Sequence, residues 1–184
     1  MIDSDMLKVL LYYDGSKHSF SAAVYTANLF NNIPNMHLTV LHIEENVEGF
    51  IEGDYNLMQT WSTNPYSNME KHLEKHLEEE TDSEKRIQYS EIITKTNKIF
   101  TERGHNVNHK VIYSNYNIPD IVEATLSYAT NYGFQLIIMG TRGLTSLKGL
   151  IHGSLAHSVL NKSDIPVLLI KKLPQEFVDR YCSS

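Results

Sequence analysis

Leu136-Ile137-Ile138-Met139-Gly140-Thr141-Arg142-Gly143, followed after nine residues by Gly153-Ser154, carries the clearest architectural signal in the chain. A short, continuous apolar run ending in glycine reads as a strand buried on both faces, the kind found in parallel sheets covered by helices. The glycine-spaced loop closes on a serine able to cap a helix, so the chain passes from strand to helix rather than into a hairpin. Backbone amides at such a junction grip phosphate without a dedicated cation. Gly140 and Gly143 are expected to take positive φ so that the main chain approaches a ligand closely.

The same alternation extends outward in both directions. Downstream, Ser154 to Leu160 makes a short helix, and Pro166 to Lys171 a last strand with proline at its start, where a missing N–H is tolerated. Upstream, Leu7 to Tyr13 reads as a buried first strand broken by Asp14-Gly15-Ser16, and Phe20, Ala23, Val24, Ala27 and Phe30 recur at helical spacing behind a Ser16 cap. His37 to Ile43 is a second strand, left at Glu44-Glu45, and Val107 to Tyr113 a third. Between them lie a polar, irregular excursion at 46–83 and a loosely periodic helix from 84 to a Gly104 C-cap. Pro119 opens a further helix carrying Ile121, Val122, Leu126 and Ala129, and Phe134 to Met139 is the fourth strand. Connections too long for hairpins imply right-handed crossovers and an open five-stranded parallel α/β sheet with helices on both faces. In such sheets ligands sit beyond the carboxyl ends of the strands where strand order reverses, so Asp14, the Ile43–Glu45 exit and Gly140 are expected to share one crevice.

Composition narrows the function. The chain has 184 residues, 41% of them hydrophobic, with a formal net charge of −6. A single domain over 1–184 is expected, with the excursion at 46–83 and a C-terminal tail at 172–184. Lys and Arg are scattered rather than gathered on one element, which argues against a nucleic-acid partner. No run approaches 18 apolar residues and the first residues resemble no targeting peptide, so no membrane association and a cytoplasmic location are expected. Cys182 is the only cysteine, which excludes an internal disulfide.

The strand-end Tyr12-Tyr13-Asp14-Gly15-Ser16, the second-strand Leu41-His42-Ile43 and the G-x2-G-x9-G-S pattern from Gly140 to Ser154 resemble, in order and spacing, the ATP-binding universal stress proteins. The resemblance covers about 7–44 and 84–171 and implies a Rossmann-like, adenine nucleotide alpha hydrolase-like fold. It further implies that Asp14 and the backbone around Tyr12 meet the nucleoside, and that the main chain of Ile43 recognises adenine. Met139 and Gly140 would then lie at the nucleotide, Gly140 near the ribose. Gly143, Gly153, Ser154 and Leu155 would hold the phosphates of ATP with Mg²⁺, and Arg142 and Lys148 could offset phosphate charge. Family members usually dimerise through the last strand, here Val167, Leu168, Leu169 and Ile170. An apolar edge strand needs such cover on physical grounds as well. Two tyrosines before Asp14 depart from the family's smaller residues and either stack on a base or crowd it.

Other features have plainer readings. His72 and His76 could share one helix face, but no third ligand follows, so no metal site made of protein side chains is expected. His42, inside an apolar strand, reads as a satisfied core histidine. No P-loop or dinucleotide fingerprint occurs, and no nucleophile, base and orienting group can be assembled. The expected function is therefore a cytoplasmic, homodimeric, ATP-binding stress-response regulator acting on an unidentified protein client, with at most slow hydrolysis or autophosphorylation. Two alternatives stand beside it: an ATP-using transferase or hydrolase with 46–83 as lid, and a nucleotide-free dimeric interaction protein.

Overall fold

The computed structural model describes residues 6–45, 94, 98–100, 105, 107–115, 117–142 and 154–183. The readings made for 46–83, His72, His76, Gly104, Gly143, Lys148 and Gly153 lie outside these residues. In chain order come β1 (Leu7–Tyr12), α1 (Lys17–Phe30), β2 (Met36–Glu45), β3 (Asn108–Ser114), α2 (Ile118–Asn131), β4 (Leu136–Gly140), α3 (Ser154–Lys162), β5 (Val167–Ile170) and α4 (Gln175–Ser183). The strands form one sheet in the order β3-β2-β1-β4-β5, and all four pairings are parallel. This is the open five-stranded α/β sheet that the sequence predicts, with β5 at an edge.

Side-chain alternation splits β1 between two cores. Val9, Leu11 and Tyr13 join a cluster with Ala22, Ala23, Val24 and Ala27 of α1 and with Ile99 and Phe100. Leu10 and Tyr12 join the opposite cluster, with Ile121 and Val122 of α2 and Leu155 and Val159 of α3. Both faces of the central strands β1 and β4 are thus dry, which is why these two carry apolar runs rather than alternation with polar residues.

The helix starts are built locally. The Ser16 hydroxyl caps α1 by accepting the Ser19 N–H at 3.1 Å, and Asn117 caps α2 through the Asp120 N–H at 3.0 Å, with Pro119 in the first turn.

Two segments differ from expectation. β2 runs on through Glu44 and Glu45, whose backbones pair with Tyr113 and Ser114. Charged side chains do not end a strand that still has a neighbour to bond. The C-terminal stretch, expected as a tail, folds as α4. Its entry is pinned by the Leu173 N–H donating to Ser21 Oγ at 3.0 Å, and Val178 and Tyr181 are buried in the α1-side core.

Candidate functional site

Strand order reverses between β1 and β4, and a narrow crevice opens at their carboxyl ends. It is lined by Tyr12, Asp14, Ser19, Met139, Gly140, Arg142, Leu155 and Ala156. Three chain-distant segments therefore meet where a doubly wound sheet places its ligands. Of the residues singled out in the sequence, Tyr12, Asp14, Met139, Gly140, Arg142 and Leu155 come together here. Ser154 is the first residue of α3, next to Leu155.

The β1–α1 turn is a network rather than a loose loop. Asp14 is buried, and its Oδ1 accepts the Ser16 N–H at 3.0 Å. Gly15 between them takes φ 79°, a left-handed conformation that glycine adopts without strain. Ser16 Oγ donates to the Arg142 carbonyl at 3.2 Å, and Ser19 Oγ to the Ser16 carbonyl at 2.9 Å. The turn after β1 is thereby tied to the turn after β4, and the two walls of the crevice hold each other in register.

Gly140 corrects one expectation. It belongs to β4 and is not among the positive-φ glycines, which in the described residues are Gly15 and Gly133. Its missing side chain is required by packing instead. A Cβ there would lie 2.6 Å from His18 C, 2.7 Å from Ser19 N and 2.8 Å from His18 Cβ, inside the first turn of α1. The glycine lets the helix start sit directly on the strand end, and that contact closes the floor of the crevice.

The tyrosine pair separates by strand alternation. Tyr12 faces the crevice, whereas Tyr13 points into the α1-side core and is 1% exposed. Burial, with Asp14 adding to it, pushes the Tyr13 phenol above its ordinary range. Only Tyr12 is therefore placed to meet a ligand.

Ile43 has a buried side chain and does not line the crevice. Its main chain is differently placed. The Tyr13 N–H donates to the Leu41 carbonyl at 2.9 Å. By the two-residue repeat of a strand, Ile43 presents its own N–H and C=O on that same side, past the end of β1. The Tyr13 carbonyl, for its part, is bonded by His42 Nδ1 at 2.8 Å. His42 is thus a satisfied, half-buried histidine, with Nε2 3.7 Å from Glu44 Oε1.

Electrostatically the crevice favours anions. The first turns of α1 and α3 both border it, and neither carries an acidic residue. Helix starts concentrate unpaired N–H groups and a partial positive charge, and exposed Arg142 adds a full one. Asp14 is the carboxylate among the described lining residues. The remainder, Tyr12, Met139, Leu155 and Ala156, is largely apolar. Ser19 and Ala156 were not foreseen: they look like ordinary helix residues, and only their position one turn inside α1 and α3 brings them to the site.

Residues 6–171 match the model of the Universal stress protein family. Universal stress protein MJ0577 of Methanocaldococcus jannaschii is 28% identical over 89 residues, covering 45% of this chain and 55% of the relative. Universal stress protein YxiE of Bacillus subtilis is 34% identical over 70 residues, covering 38% and 44%. The matched segments thus span about half the length of these relatives. Among solved structures, hypothetical protein MJ0577 superposes with a TM-score of 0.61 at 20% identity, over 92% of this chain and 99% of that one. A universal stress protein in complex with cAMP does so with a TM-score of 0.53 at 15% identity, over 92% and 100%.

Proposed function

The chain belongs to the universal stress protein family, and from that premise we propose that it is a cytoplasmic, homodimeric, ATP-binding stress-response regulator whose nucleotide state is its signal. One observation carries the reading: Asp14, Gly140, Arg142 and the start of α3 line a single crevice at the strand-order reversal. In this reading the adenosine lies against Tyr12 and Met139, near Asp14, with its base edge toward the main chain of Ile43. The amides that begin α3, the Ser154 hydroxyl and Arg142 take the phosphates, joined by Gly143, Gly153 and Lys148. Mg²⁺ would ride on the phosphate oxygens, as this ion usually does, drawing few ligands from protein.

Binding is favoured over turnover because the carboxylate at hand, Asp14, already anchors the Ser16 amide. Val167, Leu168 and Leu169 of the edge strand β5 remain partly exposed, and pairing with a second copy would cover them.

The test is thermal unfolding of nucleotide-stripped protein with Mg·ATP, against GTP, ADP, AMP and cAMP. Ligand at about 100 times Kd stabilises by roughly 2.7 kcal/mol, which for a domain of this size raises Tm by about 5–10 °C. An ATP-selective rise of that size is the expected result. A folded protein whose Tm ignores every adenine nucleotide at millimolar concentration would defeat the proposal.

A further inference from the structure

The outward side of the edge strand β5 is set for pairing. The Ile137 N–H donates to the Pro166 carbonyl and the Thr141 N–H to the Ile170 carbonyl, each at 2.9 Å, so the even-numbered residues bond toward β4. By the two-residue repeat, Val167, Leu169 and Lys171 turn their N–H and C=O groups to the open edge. Four residues make a strand only about 13 Å long, whereas a stable dimer covers about 800 Å² and about 20–30 residues on each partner. Strand pairing alone is too small a seam.

The helices on either face of β5 can supply the rest. Among the described residues four large apolar side chains are exposed, and two of them, Leu160 at 45% and Phe177 at 36%, sit on α3 and α4, which precede and follow this strand. α3 covers one face, where Leu155 and Val159 share a cluster with Val167 and Leu169. α4 lies on the other, where Val178 and Tyr181 share a cluster with Leu168 and Ile170. α3 meets α2 along a groove with Lys162 on one wall and Thr130 and Asn131 on the other. Leu160 stands about 200° around the helix from Lys162, on the flank away from α2. Because α2 packs toward β3 and α3 toward β5, that flank borders the β5 edge.

Charge marks what fits there. Exposed Asp164 precedes β5, and exposed Lys171 and Lys172 follow it. The turn carrying Asp164 is fixed by Ser163 Oγ, which donates to the Ile165 carbonyl at 2.7 Å and accepts the Ile165 N–H at 3.1 Å. A strand acidic at its start and basic at its end complements itself when a two-fold axis sets two copies antiparallel. With Val167 opposite the partner's Leu169, Asp164 stands opposite the partner's Lys172.

We propose that β5 is the seam of a wider self-association surface, in which Leu160 and Phe177 pack on a second copy and Asp164 pairs with the partner's Lys172. The inference rests on the homodimer part of the function proposed above and extends it to α3 and to α4, the latter beyond the family-matched residues 6–171.

Sedimentation equilibrium of the full chain tests it, with Leu160→Glu, Phe177→Glu, Asp164→Lys, Lys172→Asp, the exchange Asp164→Lys/Lys172→Asp, and Tyr132→Glu as a control on the far end of α2. All these positions are exposed, so the variants retain the fold, checked by circular dichroism. The expected result is a dimeric wild type whose dissociation constant rises about tenfold or more in each single variant at 160, 177, 164 and 172. The exchange returns it to within about threefold of wild type, which lost folding stability alone cannot do, and Tyr132→Glu leaves it unchanged. Single variants that dimerise like wild type, an exchange that fails to rescue, or an equal loss in Tyr132→Glu overturn the inference and leave pairing through β5 alone standing. A wild type monomeric across the micromolar range overturns the inference and the homodimer together.

Discussion

Replacing Gly140 by alanine separates two roles for a motif glycine, ligand approach and helix seating. The new Cβ would stand 2.6 Å from His18 C and 2.7 Å from Ser19 N. Unstrained carbon contacts lie at about 3.5–4.0 Å, so β4 and the start of α1 must part by roughly 1 Å. Overpacking of this kind costs about 1–3 kcal/mol, and the upper end applies because the opposing atoms are backbone of a capped helical turn. The same separation stretches the 3.2 Å Ser16 Oγ–Arg142 O bond beyond useful length, adding about 1 kcal/mol. A total near 3–4 kcal/mol corresponds to a fall in Tm of about 6–16 °C, or about 1.5–2 M in urea midpoint. Urea denaturation of Gly140→Ala in the absence of nucleotide measures it. A variant within about 0.5 kcal/mol of wild type would refute the seating argument. So would a loss seen only with Mg·ATP present, because it would return Gly140 to a role in ligand approach.

Two further outcomes are expected away from the crevice. Burial holds His109 at about 4 against an unfolded value near 6.5, so the unfolded chain takes up the proton first. Its contribution is intact above about pH 6.5 and drains away as pH falls toward 4. Wild type should lose stability more steeply than His109→Gln between pH 7 and 4.5 in paired urea titrations, by on the order of 2 kcal/mol, and parallel losses would exclude it. Tyr181, 8% exposed, anchors α4 against the α1-side core. Tyr181→Ala should lower stability by about 3 kcal/mol in the same assay, whereas an idle tail would lose almost nothing.

β1 and β4 were legible because strands covered on both faces favour apolar residues at every position, and Val9 to Tyr12 and Ile137 to Met139 supply them. The crevice was legible too, since Asp14 and Gly140 stand at carboxyl ends of strands, where a doubly wound sheet that reverses its strand order places its ligands. What escaped the sequence depends on contacts between distant segments. Nothing near Gly140 in the chain reveals that His18 will press on it. α4 shows only Val178 and Tyr181 as buried anchors among polar neighbours, too short a pattern to stand out. The division of Tyr12 from Tyr13 follows from a two-residue repeat, but which of them faces the crevice depends on which helices cover each side. Glu44 and Glu45 look like an exit because charge usually marks one; β3 pairs with them all the same.

The strand order also bears on how the chain is made. β1 lies in the middle of the sheet, yet it leaves the ribosome before both of the strands it pairs with. β2 can pair with one side of it early. Its other side must wait for β4: the Lys8 N–H bonds the Gln135 side chain at 3.0 Å, and the Lys8 carbonyl accepts the Gln135 N–H at 2.9 Å, across 127 positions. A nascent chain that has released only β1 to β3 carries a bare apolar edge and half a crevice, lacking Met139, Gly140, Arg142 and Leu155. Contacts this long-range form slowly. Under the proposed function, ligand capture waits until α3 has emerged, and a bound nucleotide would clamp the long-range seam between β1 and β4.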